Sequence, residues 1–217
     1  MRIENISKIL KINDIKAVEL RDDSDDNIKR FDGYSPASCA FWKAESNIKF
    51  YTTEEDHHCS IGRVTHGFNK AHEIYDMEDF KLLKSLGWIN EEDISKLPTL
   101  PTHKMIIYSS INETDNPDLL IFFGNAEQVM LIIDACEKGN IPYNVRTKPT
   151  CAILAEAYNI KGVVIGLGCT PSRLRTPYSI NDLFVAIHYS IIERLMELLD
   201  EIVRANDLVC QNKELLT

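Results

Sequence analysis

Short continuous apolar runs in the second half of the chain predict a series of buried strands. Three such runs have the length of single strands and are bounded by glycine, proline or polar residues: 119–123, 162–167 and 183–187. Because polar residues do not alternate with apolar ones inside these runs, each predicts a strand that is covered on both faces. A segment before them, 104–109, predicts a further strand.

Between these runs, apolar residues recur at helical spacing. Asn125 is a typical N-cap residue, and a stripe over 126–138 predicts an amphipathic helix after it. The stripe comprises Ala126, Val129, Met130, Ile133 and Cys136. A shorter helix is predicted over 150–158 and a long one over 189–206, with a tail from about residue 207.

The first half of the chain has weaker patterns. They predict strands over 17–20 and 48–52. Helices or helical turns are predicted over 3–13, 37–46, 77–86 and 91–97. Alternating strands and helices favour an α/β fold, with a mixed or parallel layered sheet flanked by helices. We interpret 1–217 as a single domain of two lobes, with their boundary in the proline-containing stretch 98–103.

The composition excludes several classes of protein. The chain has 217 residues, of which 44% are apolar and 26% charged. A disordered chain would have a smaller share of apolar residues to bury. No apolar run approaches the ~18 residues of a membrane-spanning helix. A net charge of −9 argues against a nucleic-acid partner. Because residues 1–10 lack the apolar core of a secretory leader, we expect a cytoplasmic protein.

The cysteines are the main candidates for chemistry. In a reducing compartment, six cysteines are expected to be thiols or metal ligands rather than disulfides. Cys136 lies on the predicted helix stripe and Cys210 in the predicted tail, so neither indicates a site. The other four lie at the edges of predicted elements: Cys39, Cys59, Cys151 and Cys169. Since strand ends gather ligands in α/β proteins and helix starts favour thiolates, we expect these four to be thiolate-prone and to converge.

Four thiolates form the usual ligand set of an iron–sulfur cluster or of a closed zinc site. The intervals between these cysteines are 20, 92 and 18 residues, and no Cys-x-x-Cys pair is present. This spacing disfavours a zinc ribbon or a ferredoxin motif, so the fold would have to bring the four together. His58, which precedes Cys59, is a further candidate ligand.

Two arginines follow the last of these cysteines and predict an anion site beside it. Arg173 and Arg175 carry guanidinium groups, which bind carboxylates and phosphates by paired hydrogen bonds. Gly166 and Gly168 would let the backbone approach such a ligand closely. The structural alternative is that Arg173 pairs with a carboxylate of the protein itself.

Several motifs occur together in the order of a known family. They are Cys39-Ala-Phe, His58-Cys-Ser-Ile-Gly62, Pro117-Asp-Leu-Leu-Ile-Phe-Phe-Gly124 with Glu127-Gln128, Cys151, and Gly166-Leu-Gly-Cys-Thr-Pro-Ser-Arg173. Over about residues 15–200 the chain resembles the uncharacterised archaeal and bacterial family known as domain of unknown function 169. The resemblance implies a shared role for the four cysteines, because members carry cysteines at the matching positions. It implies no reaction, since the family has no settled activity.

The leading hypothesis is a protein that binds an iron–sulfur cluster, most simply [4Fe–4S], through Cys39, Cys59, Cys151 and Cys169. The cluster would serve electron transfer with a redox partner protein, or catalysis on a small anionic molecule. One alternative is a structural or interaction module that holds zinc with the same ligands. Another is a metal-free thiol enzyme, with Cys169 or Cys59 as nucleophile and His58 as base. A homo-oligomer formed through the long C-terminal helix is also open.

Overall fold

A computed structural model describes residues 5–23, 27–43, 48–176 and 178–212 of the chain. The strands of its sheet are β1 (Ile15–Arg21), β2 (Lys29–Arg30), β3 (Phe50–Thr52), β4 (Met105–Ser110), β5 (Leu119–Gly124), β6 (Tyr143–Arg146), β7 (Val163–Gly166) and β8 (Leu183–His188). The α-helices are α1 (Asn5–Leu10), α2 (Ser60–Thr65), α3 (Glu78–Ser85), α4 (Glu91–Ser95), α5 (Ala126–Gly139), α6 (Ala152–Ile160), α7 (Thr170–Arg175) and α8 (Ile192–Gln211). A 3₁₀ helix, Ser38–Lys43, also contributes to the site described below.

The strands form one sheet in the order β2-β3-β4-β1-β5-β8-β7-β6. The inner pairs, from β3–β4 through to β8–β7, are antiparallel, whereas the edge pairs β2–β3 and β6–β7 are parallel. Helices cover both faces of the sheet. The predicted α/β class is therefore confirmed, in its mixed-sheet form.

The two faces of the sheet carry different layers of helix. Successive side chains of β5 point to opposite faces, as the pleat of a strand requires. Phe122 belongs to the core formed with α5 and α8, whereas Ile121 belongs to the core formed with α6 and the 3₁₀ helix Ser38–Lys43. Because both cores exclude water, the uninterrupted apolar runs that predict buried strands have a direct explanation.

A smaller apolar cluster lies beside the second face. It is built from residues 61–97, and its buried members include Ile61, Val64, Phe80 and Ile94. Cys151, at the start of α6, packs into the same cluster. The start of α6 therefore lies where the helical segment 61–97 meets the main body. The division into two lobes near 98–103 stays a prediction.

Two helix predictions need correction. Met130 is 45% exposed and Ala126 is exposed, so both were wrongly assigned to the apolar stripe of α5. The buried face runs instead through Val129, Ile132, Ala135 and Cys136, because α5 packs against α8 as well as the sheet. The tail predicted from about residue 207 is also wrong, since α8 continues to Gln211. Its last turns are exposed, which is why the apolar stripe stops earlier than the helix.

The segment 37–46 is less helical than its pattern predicts. Its described part forms the 3₁₀ helix Ser38–Lys43, and residues 44–47 lie outside the described part of the chain. The strand β6 is not predicted by the sequence because its residues are mostly exposed and include Asn144 and Arg146. Within the described residues, no helix has the length and apolar content needed to cross a membrane.

Candidate functional site

Four cysteines from four separate segments line one buried cavity of about 30 Å³. Cys59, Cys151 and Cys169 occupy the N-cap positions of α2, α6 and α7, and Cys39 lies in the first turn of the 3₁₀ helix Ser38–Lys43. Apolar side chains complete most of the wall, among them Ile61, Leu83, Trp88, Pro149 and Pro171. The cavity is thus a small, largely apolar space whose most reactive groups are thiols.

The other two cysteines lie elsewhere. Cys136 is fully buried in the core on the opposite face of the sheet, between α5 and α8. Cys210 is exposed near the end of α8. The structure therefore places the four candidate cysteines at one cavity and the other two cysteines away from it.

Hydrogen bonds link the segments that carry Cys151 and Cys169. The backbone N–H of Cys169 donates to Thr150 Oγ1 at 2.6 Å, and the Ser172 hydroxyl donates to the Cys169 carbonyl at 2.8 Å. The Thr150 and Ser172 hydroxyl oxygens are themselves 3.3 Å apart. Because these bonds are buried, they fix the two cysteine-bearing helix starts relative to each other.

The segments that carry Cys39 and Cys59 are linked by a buried histidine. His57 Nδ1 lies 2.8 Å from Ser38 Oγ, and its Nε2 lies 3.0 Å from Thr52 Oγ1. Both ring nitrogens are therefore satisfied, and the ring connects the residue before Cys39 to the strand β3. On the far side of Cys59, the Ser60 N–H and hydroxyl both donate to Asp79 Oδ2, at 2.9 and 3.0 Å.

The three histidines of residues 57–66 have different surroundings. His57 and His66 are fully buried. Only a weak sequence signal points to the role of His57, namely that it lies two residues before the candidate ligand Cys59. His58 is exposed, stacks on Tyr34 at a ring distance of 4.7 Å, and is not among the described residues that line the cavity.

Burial dominates the acidity of the thiols. It raises the pKa of Cys39 and Cys151 well above the ordinary value, and it raises the pKa of Cys59 as well. Neighbouring cysteines raise the pKa further, because thiolates at short range repel one another. The prediction that these three residues are thiolate-prone is therefore wrong for the protein without a bound cation. Removal of water outweighs the favourable position at a helix start.

The cysteines share a cavity without being drawn to one point. In the part of the chain that the structure describes, no group of three or more His, Cys, Asp or Glu side chains has the arrangement that holds a metal ion. Four thiolates bound to a single zinc ion at about 2.3 Å would lie within about 3.8 Å of one another. Binding of one zinc ion would therefore require the cysteine side chains to rearrange.

The two arginines after Cys169 have different surroundings. Arg173 donates to the backbone carbonyls of Leu167, Ser179 and Asp182, so it closes its own loop. Gly168 makes this possible because it has no Cβ. A Cβ at this position, where φ is +82°, would lie only 2.6 Å from the Arg173 guanidinium. The partners are carbonyls rather than the structural carboxylate considered from the sequence.

Arg175 is the arginine that reaches the cavity. It is half-buried and lines the cavity together with the four cysteines. Its positive charge opposes the rise in the pKa of Cys59. No other described residue forms a hydrogen bond or an ion pair with its guanidinium. Of the predicted pair, Arg175 lines the cavity, whereas two guanidinium nitrogens of Arg173 donate to backbone carbonyls.

Comparison with known families identifies the family of this chain. A family model for domain of unknown function 169 (DUF169), described as uncharacterised ArCR, matches residues 14–198. The chain belongs to DUF169. The match confirms the predicted resemblance and includes all four cysteines of the cavity together with Arg175. Neither a curated protein nor a solved structure matches this DUF169 chain.

Next to the cavity, the DUF169 chain buries a histidine whose ionisation should control acid stability. His66 Nδ1 lies 2.9 Å from the Gly62 carbonyl, and burial lowers the pKa of His66 from 6.5 to about 4. Between those two pH values the unfolded chain binds a proton at His66 and the folded chain does not. The free energy of unfolding should therefore fall as the pH falls, by about 1.4 kcal/mol per pH unit for this group.

Urea unfolding at a series of pH values checks this expectation. His66→Gln should reduce the slope of stability against pH over this window, whereas His72→Gln, at an exposed position, should leave it unchanged. His57 and His103 are also buried with lowered pKa values, so part of the slope should persist in the variant. An unchanged slope in His66→Gln would contradict the assignment.

Proposed function

We propose that this protein binds an iron–sulfur cluster through Cys39, Cys59, Cys151 and Cys169 and uses it to transfer electrons. One observation carries the proposal: four distant segments each contribute one cysteine to the same buried cavity. Unrelated structural cysteines have no reason to gather in this way. The donor set fits the group, since four cysteine thiolates are the common ligands of [4Fe–4S] clusters.

The thiols of the cavity must lose their protons before they can hold a cluster. Burial, and to a smaller extent the neighbouring cysteines, raise the pKa of Cys39 and Cys151, so these thiols resist ionisation. Iron ions replace those protons and stabilise the thiolates, because metal binding to cysteine releases protons. Three of the cysteines lie at helix starts, whose N–H groups favour the remaining negative charge of a cluster with four thiolates. When bound, the cluster supplies one-electron transfer.

A cluster and a single zinc ion need different spacings of the four sulfurs. In a cluster each iron takes its own thiolate, so the four sulfurs lie farther apart than around one ion. The cavity, at about 30 Å³, has room for about two water molecules. A cluster of eight atoms therefore requires the four segments to separate when it binds.

The thiol-enzyme alternative receives less support where Cys59 is the nucleophile. A nucleophilic cysteine needs a low pKa and a base within reach. Burial raises the pKa of Cys59, and His58 is exposed and stacked on Tyr34. Neither residue has the surroundings that this mechanism requires.

Anaerobic purification tests the proposal. We expect a brown protein with a broad visible absorption band and about four irons and four sulfides per chain. A colourless protein that holds zinc would overturn the cluster and favour the structural module. A protein that stays colourless and metal-free after anaerobic reconstitution with iron and sulfide would overturn any metal site at these cysteines.

A further inference from the structure

A second, larger cavity adjoins the cysteine site. It is an open groove of about 630 Å³, within the usual size of small-molecule sites. The strand β2, the segment 31–36 and the 3₁₀ helix Ser38–Lys43 form most of its walls, and Arg175 also lines it. Because Arg175 lines the cysteine cavity as well, the two spaces share this residue.

Four cationic side chains and one carboxylate, Asp32, line the groove in a protein whose net charge is −9. Of the cations that line it, Arg30 pairs with Asp56 and Glu55, and Lys43 pairs with Asp182. Within the described part of the chain, Lys29 and Arg175 have no ion pair. Arg175 is also half-buried. An anion in the groove would give its guanidinium a charged partner.

Aromatic rings supply the apolar part of the groove. Phe31 packs against Phe41 at a ring distance of 5.0 Å and against Phe50 at 5.4 Å, so the floor is fixed by its own core. Tyr34 lies at the rim and is 73% exposed. Its ring is held by stacking on His58 and offers a flat face to a ligand. This combination suits a molecule with one planar ring.

We propose that the groove binds a small organic anion with a planar ring, whose anionic group contacts Arg175 at the edge of the cysteine cavity. This inference names the substrate class of the proposed electron-transfer site. It rests on the proposed function only for the transfer of electrons to or from the bound ligand, and the binding itself does not depend on that function. The ring lies among Phe31, Tyr34 and Phe41. The charged end lies beside the space lined by the thiols, where an electron donor or acceptor would be closest.

Calorimetric titration with 2-naphthoate tests the site, with the uncharged 2-naphthalenemethanol as its matched control. The protein as purified should bind naphthoate and bind the alcohol much more weakly. Arg175→Gln should weaken naphthoate binding by about tenfold, since a charge-assisted hydrogen bond is lost. Tyr34→Ala should weaken the binding of both compounds. Arg204→Gln, which removes an exposed charge on α8, should change nothing.

Iron and sulfide content measured on the same samples separates this inference from the proposed function. Naphthoate binding that depends on Arg175 in a protein without a cluster would leave the groove intact and overturn the cluster. A loaded cluster with no naphthoate binding, or with equal binding of naphthoate and the alcohol, would overturn the groove. Equal naphthoate affinity in Arg175→Gln and the unmodified protein would overturn it as well.

Discussion

Replacing Cys151 by alanine should remove most of the iron and sulfide from the anaerobically purified protein. Loss of residues that only support a metal ligand commonly costs about tenfold or more in metal affinity, and loss of the ligand itself should cost at least as much. Cys39→Ala, Cys59→Ala and Cys169→Ala should have the same effect, since each removes one wall of the same cavity. Iron, sulfide and visible absorption per chain measure the result.

Cys136→Ala provides a control that is matched for burial. Cys136 is fully buried, and Cys39, Cys151 and Cys169 are buried as well. Burial raises the pKa of Cys136 to about 12, but Cys136 lies on the other face of the sheet. It should retain full iron content, as should the exposed variant Cys210→Ala. Equal iron in all six variants would contradict the proposed ligands, and loss of iron in Cys136→Ala would indicate a general effect on folding.

Much of the sheet could be predicted from local patterns. The runs that become β5, β7 and β8 are buried on both faces, and the Asn125 cap begins α5 as predicted. The order of the strands could not be predicted, because it depends on pairings such as β1 between β4 and β5 that join distant parts of the chain. The edge strand β6 carries no apolar pattern, since solvent takes the place of a second layer there.

The site could be predicted only in part. The four cysteines lie at the edges of predicted elements, and that context is visible in the sequence. The helices α2 and α7, which begin after Cys59 and Cys169, are not predicted. Arg173 and Arg175 have the same kind of sequence neighbourhood, so only the structure separates their roles. The loop around Gly168 turns Arg173 onto backbone carbonyls and leaves Arg175 facing the cavity. The groove is not predicted, because its shape depends on how the strand β2, the segment 31–36 and the 3₁₀ helix Ser38–Lys43 pack together.

Gly62→Ala should disrupt the cysteine site without changing any ligand. Gly62 lies inside α2, where alanine is normally the better helix former by up to about 1 kcal/mol. A Cβ at this position would lie only 2.0 Å from Ser38 Oγ and 2.7 Å from Ser38 Cβ. The new methyl group would therefore displace Ser38, break its hydrogen bond to His57 and shift the adjacent Cys39. We expect a loss of about 2 kcal/mol in the free energy of unfolding and a clear drop in bound iron.

Two further variants isolate the cause of this effect. Gly124→Ala is the matched control, because a Cβ there would meet its neighbours at 3.4 Å or more, which is ordinary contact. It should retain its iron and most of its stability. Adding Ser38→Gly to Gly62→Ala removes both clashing atoms, so the double variant should recover part of the iron lost by the single one. If Gly62→Ala alone binds iron and unfolds like the unmodified protein, the close packing of α2 on the Cys39 turn does not position this ligand.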